Sequence, residues 1–179
     1  LLNIKLAIVL SFFLYVIGIM STFFLQPLGQ YIALCVILPL LIFYTSVLKP
    51  IPLIGNIIIG GIVGSIFLFA EAALTNNIDI MWIPFFLATV LSFIREICKD
   101  AEDMVGDAAL HVKTFPVVFG LTSTLQILRG FSICFCLCAI IPWLNTSYGL
   151  LYIIFMIFFI EIPLLYGVFV IINKHSNAL

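Results

Sequence analysis

The sequence predicts an all-α membrane protein, a multi-span bundle of six spanning helices forming one domain over residues 1–179, and three observations carry that expectation. Hydrophobic residues make up 65% of the chain and charged residues only 8%, with a mean hydropathy of +1.37; an average soluble domain carries about 25% charged residues. Polar, Gly or Pro clusters cut the chain into six apolar stretches, each close to the roughly 20 residues that a spanning helix needs. The alternating segments of about ten residues that mark a membrane barrel are absent, which leaves helices to satisfy the backbone N–H and C=O groups in lipid.

The first stretch, residues 6–25, stops at QPLGQ, and the second, 31–48, stops at Lys49-Pro50. The third, 56–74, carries Gly60, Gly61 and Gly64, small residues of the kind that let a neighbouring helix approach closely. TNNID separates it from the fourth, 79–97, which runs into the charged segment REICKD. The fifth and sixth, 121–143 and 149–172, flank NTSYG. Glu71, Arg129 and Glu161 lie inside these stretches, where ionisable groups face a cavity or a partner. Glu161 comes two residues before Pro163, at which a kink would accommodate it. Cys35, Cys98, Cys134, Cys136 and Cys138 have no histidine at metal-ligand spacing beside them and read as small apolar residues.

With a net charge of -1 the chain offers no basic surface for nucleic acid. Six crossings place the N-terminus, residues 49–55, residues 98–120 and the C-terminal tail on one side, and all seven Lys and Arg residues fall in or nearer those segments. QPLGQ, TNNID and NTSYG contain none, so by the positive-inside rule the charged side is cytoplasmic. No basic n-region or cleavage site precedes the first apolar run, and nothing resembles a signal peptide.

The charges are also unevenly spread. REICKDAEDMVGD, Arg95 to Asp107, holds Glu96, Asp100, Glu102, Asp103 and Asp107, five of the eight acids of the chain. On a fourth helix continued past its span, Glu96, Asp100, Asp103 and Asp107 fall within about 60° of one another. Like charges at this spacing repel by a few tenths of a kcal/mol per pair, so the stripe calls for a cation. Gly106 is placed to interrupt the helix before Asp107 and turn that carboxylate toward a ligand. Oxygen-only ligands suit Mg²⁺, which is bound through one or two carboxylates with phosphate and water. A magnesium-bound diphosphate at the membrane surface follows, with Lys99 and Arg95 flanking it. The competing reading is a solvated, charge-bearing loop.

REICKDAEDMVGDAALHVKTFPVVFG resembles the second aspartate-rich region of the UbiA family of intramembrane prenyltransferases. Upstream, FYTSVLKPIPLIGN is similar to that family's loop bearing a tyrosine and a lysine. The likeness is greatest to the branch that acts on geranylgeranylglyceryl phosphate, and it covers about residues 40–120 at the level of motifs. It implies a nine-helix bundle in which two aspartate-rich motifs face each other across a cytoplasmic-side cavity and hold Mg²⁺ on a prenyl diphosphate. Only the second motif is visible, six spans are present and the first residue is Leu1, so the chain is expected to be an internal fragment, inactive alone.

Carried over by resemblance, Asp103 and Asp107 match the paired aspartates for magnesium, with Asp100 next. Lys99 and Lys49 are diphosphate candidates, and Arg95 binds diphosphate or the acceptor phosphate or else anchors the helix end. Tyr44 and Lys49 are candidates for the reacting centre. The expected reaction is transfer of a geranylgeranyl group from its diphosphate to a lipid-like acceptor, geranylgeranylglyceryl phosphate, in phospholipid biosynthesis; an aromatic or quinone-precursor acceptor is the alternative. A cation transporter is a further one, but its acids belong near the membrane midplane, not at a helix end. A CDP-alcohol phosphotransferase ranks lower still, since no Ala-Arg pair follows Gly106-Asp107.

Overall fold

A computed structural model describes residues 3–48, 51–144 and 148–171, and among them helix is the only regular structure. In order these are α1 (Ile4–Thr22), α2 (residues 27–48), α3 (Ile54–Thr75), α4 (Trp82–Glu102), the short α5 (Met104–Ala109), α6 (Phe115–Leu144) and α7 (residues 150–171). Each of the six predicted stretches coincides with one of the longer helices. Four segments, α1, α3, α6 and Leu150–Val170 of α7, are long and apolar enough to cross a membrane, and the chain is an all-α integral membrane protein. The other two fall short for separate reasons. The apolar part of α2, Pro27–Phe43, is shorter, and the last eight residues of α4 include Arg95, Glu96, Lys99, Asp100 and Glu102.

Two prolines shape the helices that hold them. A proline inside a helix cannot donate a hydrogen bond and its ring collides with the carbonyl four residues back. In α2 a wide π turn, Ile32–Ile37, ends two residues before Pro39, and the Leu38 N–H donates to Ala33 O. In α7 the π turn Met156–Glu161 stands in the same relation to Pro163, and the Ile162 N–H donates to Ile157 O. Bonding five residues back makes room for the ring without losing the helix, so the kink expected at Glu161 takes the form of a widened turn. In α6 the break is at Gly120, whose φ of 82° and ψ of 161° leave the helical region; the spanning helix proper begins at 121, as the sequence predicts.

Apolar surface gains nothing by leaving lipid for another apolar surface, so helices in a membrane associate where close packing is available. The α3–α4 pair shows this. A Cβ at Gly60 would sit 2.8 Å from Thr89 O, and one at Gly64 would sit 2.6 Å from Phe85 O and against Thr89 Oγ1, so only hydrogen at these positions permits the observed approach. Gly61, which the sequence groups with them, faces open space. Behind α4 the core is filled by its Phe93, Ile94 and Ile97 with Leu125, Leu128, Phe135 and Ala139 of α6 and Met156 and Val168 of α7.

At one end of the α3–α4 pair, Glu71 of α3 accepts three backbone hydrogen bonds, from the N–H groups of Asp79 (3.0 Å), Ile80 (3.1 Å) and Met81 (3.2 Å). These donors lie in the connection just before α4, where backbone N–H groups have no helical ladder to satisfy them. Asn76, left-handed at φ 55°, closes α3, and its Oδ1 accepts from the Leu28 N–H of α2 at 2.9 Å. The ionisable group that the sequence marks inside the third stretch thus ties one helix to the start of the next.

Candidate active site

The acidic segment occupies the opposite end of that pair. On α4, Phe93, Ile94 and Ile97 are buried against the bundle, while Arg95, Lys99 and Glu102 are exposed. Glu96 and Asp100 lie on the border between the two faces and are half-buried, as their helical angles require. The helix does not continue unbroken, however, and Gly106 is not where it breaks. The bend is at Asp103, with φ -83° and ψ 0°, in the bridge region between helix and extended chain that active-site residues often occupy. Asp103 is bonded on both sides of the bend: its N–H donates to Lys99 O, and its carbonyl accepts from the Asp107 N–H, each at 2.9 Å. Gly106 lies inside α5, which carries Asp107 on its half-buried side. One residue out of helical geometry therefore exposes Asp103 and keeps Asp107 near Asp100.

Asp100 is the best-anchored acid of the group. Its Oδ2 accepts from Asn56 Nδ2 of α3 at 2.8 Å. Burial raises its carboxyl above the usual carboxylate range; the Asn56 bond and the Lys99 charge lower it, and the Asp107 and Glu96 charges raise it further. A half-buried carboxyl with two like charges nearby is an environment that a bound cation would relieve. Tyr44, in the π turn Tyr44–Leu48 that ends α2, is half-buried and within reach of the charges of Glu96, Lys99 and Asp100. Tyr44, Lys99, Asp100 and Asp107 thus gather at one end of α2, α3 and α4, although the sequence spreads them over more than 60 residues.

Arg95 is turned outward. Its Nη1 pairs with Glu96 Oε1 at 2.6 Å while its side chain is 75% exposed. Lys49 lies outside the described residues, as do Lys174 and His175. Arg129 stacks its guanidinium over the Phe169 ring of α7, 5.6 Å from the centroid. Glu161, 8% exposed, leaves its Oε1 buried without a hydrogen-bond partner.

Among the described residues no three His, Cys, Asp or Glu side chains close up as a ready-made metal cage. The oxygen-only set Asp100, Asp103 and Asp107 still fits magnesium, because that ion is commonly held by one or two carboxylates with phosphate and water supplying the rest. Asn56 is the residue that sequence reasoning missed. It is the one amide near the start of α3, in IGNIII, and a polar side chain opening an apolar helix is the signal that marks it.

Between α1, α2 and α3 lies an apolar cleft of about 540 Å³, lined among others by Leu14, Gly18, Leu34, Leu38, Ile66 and Phe69. Its walls offer an isoprenoid chain contact but few hydrogen bonds.

Three proteins named digeranylgeranylglyceryl phosphate synthase are similar to this chain. The Haloquadratum walsbyi protein is 34% identical over 148 residues, covering 82% of this chain and 51% of that protein. The Natronomonas pharaonis protein is 32% identical, covering 84% and 54%. The Methanococcoides burtonii protein is 33% identical, covering 98% and 62%. The chain thus spans about half the length of the first two. A solved structure, described as giving structural and mechanistic insights into the biosynthesis of digeranylgeranylglyceryl phosphate synthase in membranes, matches with a TM-score of 0.75 at 26% identity, over 97% of this chain and 61% of its own. The chain matches the UbiA prenyltransferase family over residues 1–178, and to that family it belongs.

Proposed function

We propose that the whole protein transfers a geranylgeranyl group from its diphosphate to geranylgeranylglyceryl phosphate, with the acidic end of α4 and α5 as part of the donor site. The observation that carries this reading is the meeting of Asp100 and Asp107 with Tyr44 and Lys99 next to the bend at Asp103, in a chain of this family. The names of the three relatives support the choice of acceptor.

Asp103 and Asp107, with Asp100, would hold Mg²⁺, which when bound offsets the charge of the diphosphate. Lys99, Arg95 and Lys49 are assigned to the phosphate oxygens. In the transfer, the bond between the allylic carbon and the diphosphate oxygen breaks and its electron pair leaves with diphosphate. The acceptor hydroxyl oxygen then bonds that carbon and releases its proton. Fixed cations placed where negative charge develops favour this departure, and the Tyr44 ring, lining the reacting carbon, offers its π face to the positive charge that grows there. The apolar cleft suits a prenyl chain. The distribution of basic residues supports a cytoplasmic position for the acidic end.

The test is release of diphosphate from geranylgeranyl diphosphate by the whole protein in detergent, with geranylgeranylglyceryl phosphate present and magnesium varied. Asp103→Asn and Asp107→Asn should each lower release on the order of 10²-fold or more. Turnover of an aromatic acid in place of the glycerol phosphate overturns the acceptor. Unchanged release in both variants returns these acids to a solvated loop.

A further inference from the structure

Asp100 reaches its place among the acids through a contact between helices. Its Oδ2 meets Asn56 Nδ2 at 2.8 Å, across the seam between α3 and α4. Facing an ionised carboxylate, an asparagine can only donate, so the bond also sets which way the Asn56 amide points. The start of α3 is itself unusual. Leu53 has φ 64° and ψ -39°, and the Ile54 N–H donates to Pro52 O at 2.8 Å. That is a γ-turn with positive φ, a strained conformation for a leucine. Leu53 packs against the core cluster, and the Gly55 and Ile57 N–H groups donate to Ile51 O and Leu53 O. The turn is thus held from both sides, and it brings α3 to the acidic end with Asn56 one turn in. Below it, Gly60 and Gly64 bring the two helices close enough for a short amide to reach Asp100.

We infer that Asn56 is a positioning residue for the donor site: by occupying Asp100 Oδ2 it fixes the carboxylate and presents Oδ1 to a divalent cation shared with Asp107. Residues that hold a metal's ligand in orientation commonly govern affinity for the ion by 10- to 100-fold. A group that only fastens two helices together acts on folding instead. This assignment rests on the proposed function for its ligand, and the experiment separates the two.

The whole protein is titrated with Mn²⁺ and followed by electron paramagnetic resonance with inorganic diphosphate present, and diphosphate release is measured against Mg²⁺. Asn56→Ala should weaken Mn²⁺ binding, and raise the Mg²⁺ concentration for half-maximal release, by about tenfold or more, while the rate at saturating Mg²⁺ falls much less. Asn56→Gln, which keeps the donor, should restore part of the affinity. In an Asp100→Asn background, Asn56→Ala should add little, because the two side chains act as one unit. If Asn56→Ala does not fold, Asn56→Ser and Asn56→Gln carry the same titrations. Wild-type-like Mn²⁺ and Mg²⁺ curves in these variants, or a rate lowered equally at every Mg²⁺ concentration, overturn the assignment and leave the proposed function standing. Asn56-dependent Mn²⁺ binding without diphosphate release by the wild type would overturn the function and leave the assignment. Absence of both overturns both.

Discussion

The two ends of the α3–α4 pair both carry carboxylates, and they use them in opposite ways. At the TNNID end, both oxygens of Glu71 accept from backbone N–H groups, three bonds in all. At the other end, Asp100 receives a single side-chain amide, with Asp107 near it and Asp103 exposed at the bend between them. A carboxylate given several backbone donors is already compensated and serves the fold. Acids gathered with few donors and with like-charged neighbours stay costly until something cationic arrives. The number and kind of donors separates the two roles where residue type alone does not.

The strongest way to break this contrast is to neutralise acids at the bend. Asp103→Asn or Asp107→Asn is expected to reduce diphosphate release on the order of 10²-fold and yet leave the unfolding temperature unchanged or slightly raised, since repulsion of a few tenths of a kcal/mol is removed. A large loss of thermal stability in either variant would make the bend structural and erase the distinction. Next in size is the seam that joins the two ends. Gly64→Leu drives carbon into Phe85 O and Thr89 and should cost about 1–3 kcal/mol, the usual penalty for overpacking. Gly61→Ala, facing open space, should be close to neutral. Equal unfolding curves for the two glycine variants would refute the close approach.

A smaller effect is expected at Arg95. Its exposed pair with Glu96 is worth no more than about 1 kcal/mol, so Arg95→Ala should scarcely change stability. Its proposed contact with diphosphate should appear instead as a severalfold rise in KM for the donor, and an unaltered KM would leave Arg95 a helix-end anchor. Smallest on activity is Glu71→Gln. Its amide retains one acceptor oxygen in place of two, so the unfolding temperature should drop, whereas release per folded molecule should stay at the wild-type level. A drop in release there would show that the TNNID end reaches the chemistry.

Much of the fold was legible because membrane helices announce themselves locally. Composition, six apolar stretches and the period of 3.6 residues predict the helices and place Glu96 and Asp100 near one border of α4, since each follows from neighbours on the same helix. Pro163 foretold a distortion for the same reason, although the π turn that absorbs it depends on a choice between hydrogen-bond partners four and five residues back. The bend at Asp103, not at Gly106, was hidden because it comes from a change in ψ at one aspartate that no residue type announces. The role of Glu71 was hidden because its donors arrive only when the chain turns back after Asn76.

By itself, then, the sequence determined the class of the protein, an all-helical membrane bundle of a prenyltransferase family, and it determined where the acids are concentrated. Those properties are sums over neighbouring residues, and hydrophobicity and helical period add up along the chain without reference to the rest of the fold. What only the tertiary structure decided is which carboxylate is already occupied and by what. Asn56 and Asp100 are 44 residues apart, and they meet because two glycines let α3 and α4 close on each other and a strained turn at Leu53 sets the start of α3. Hydrogen bonding acts over about 3 Å, so a partner far away in sequence exists for a side chain only after packing has brought it there.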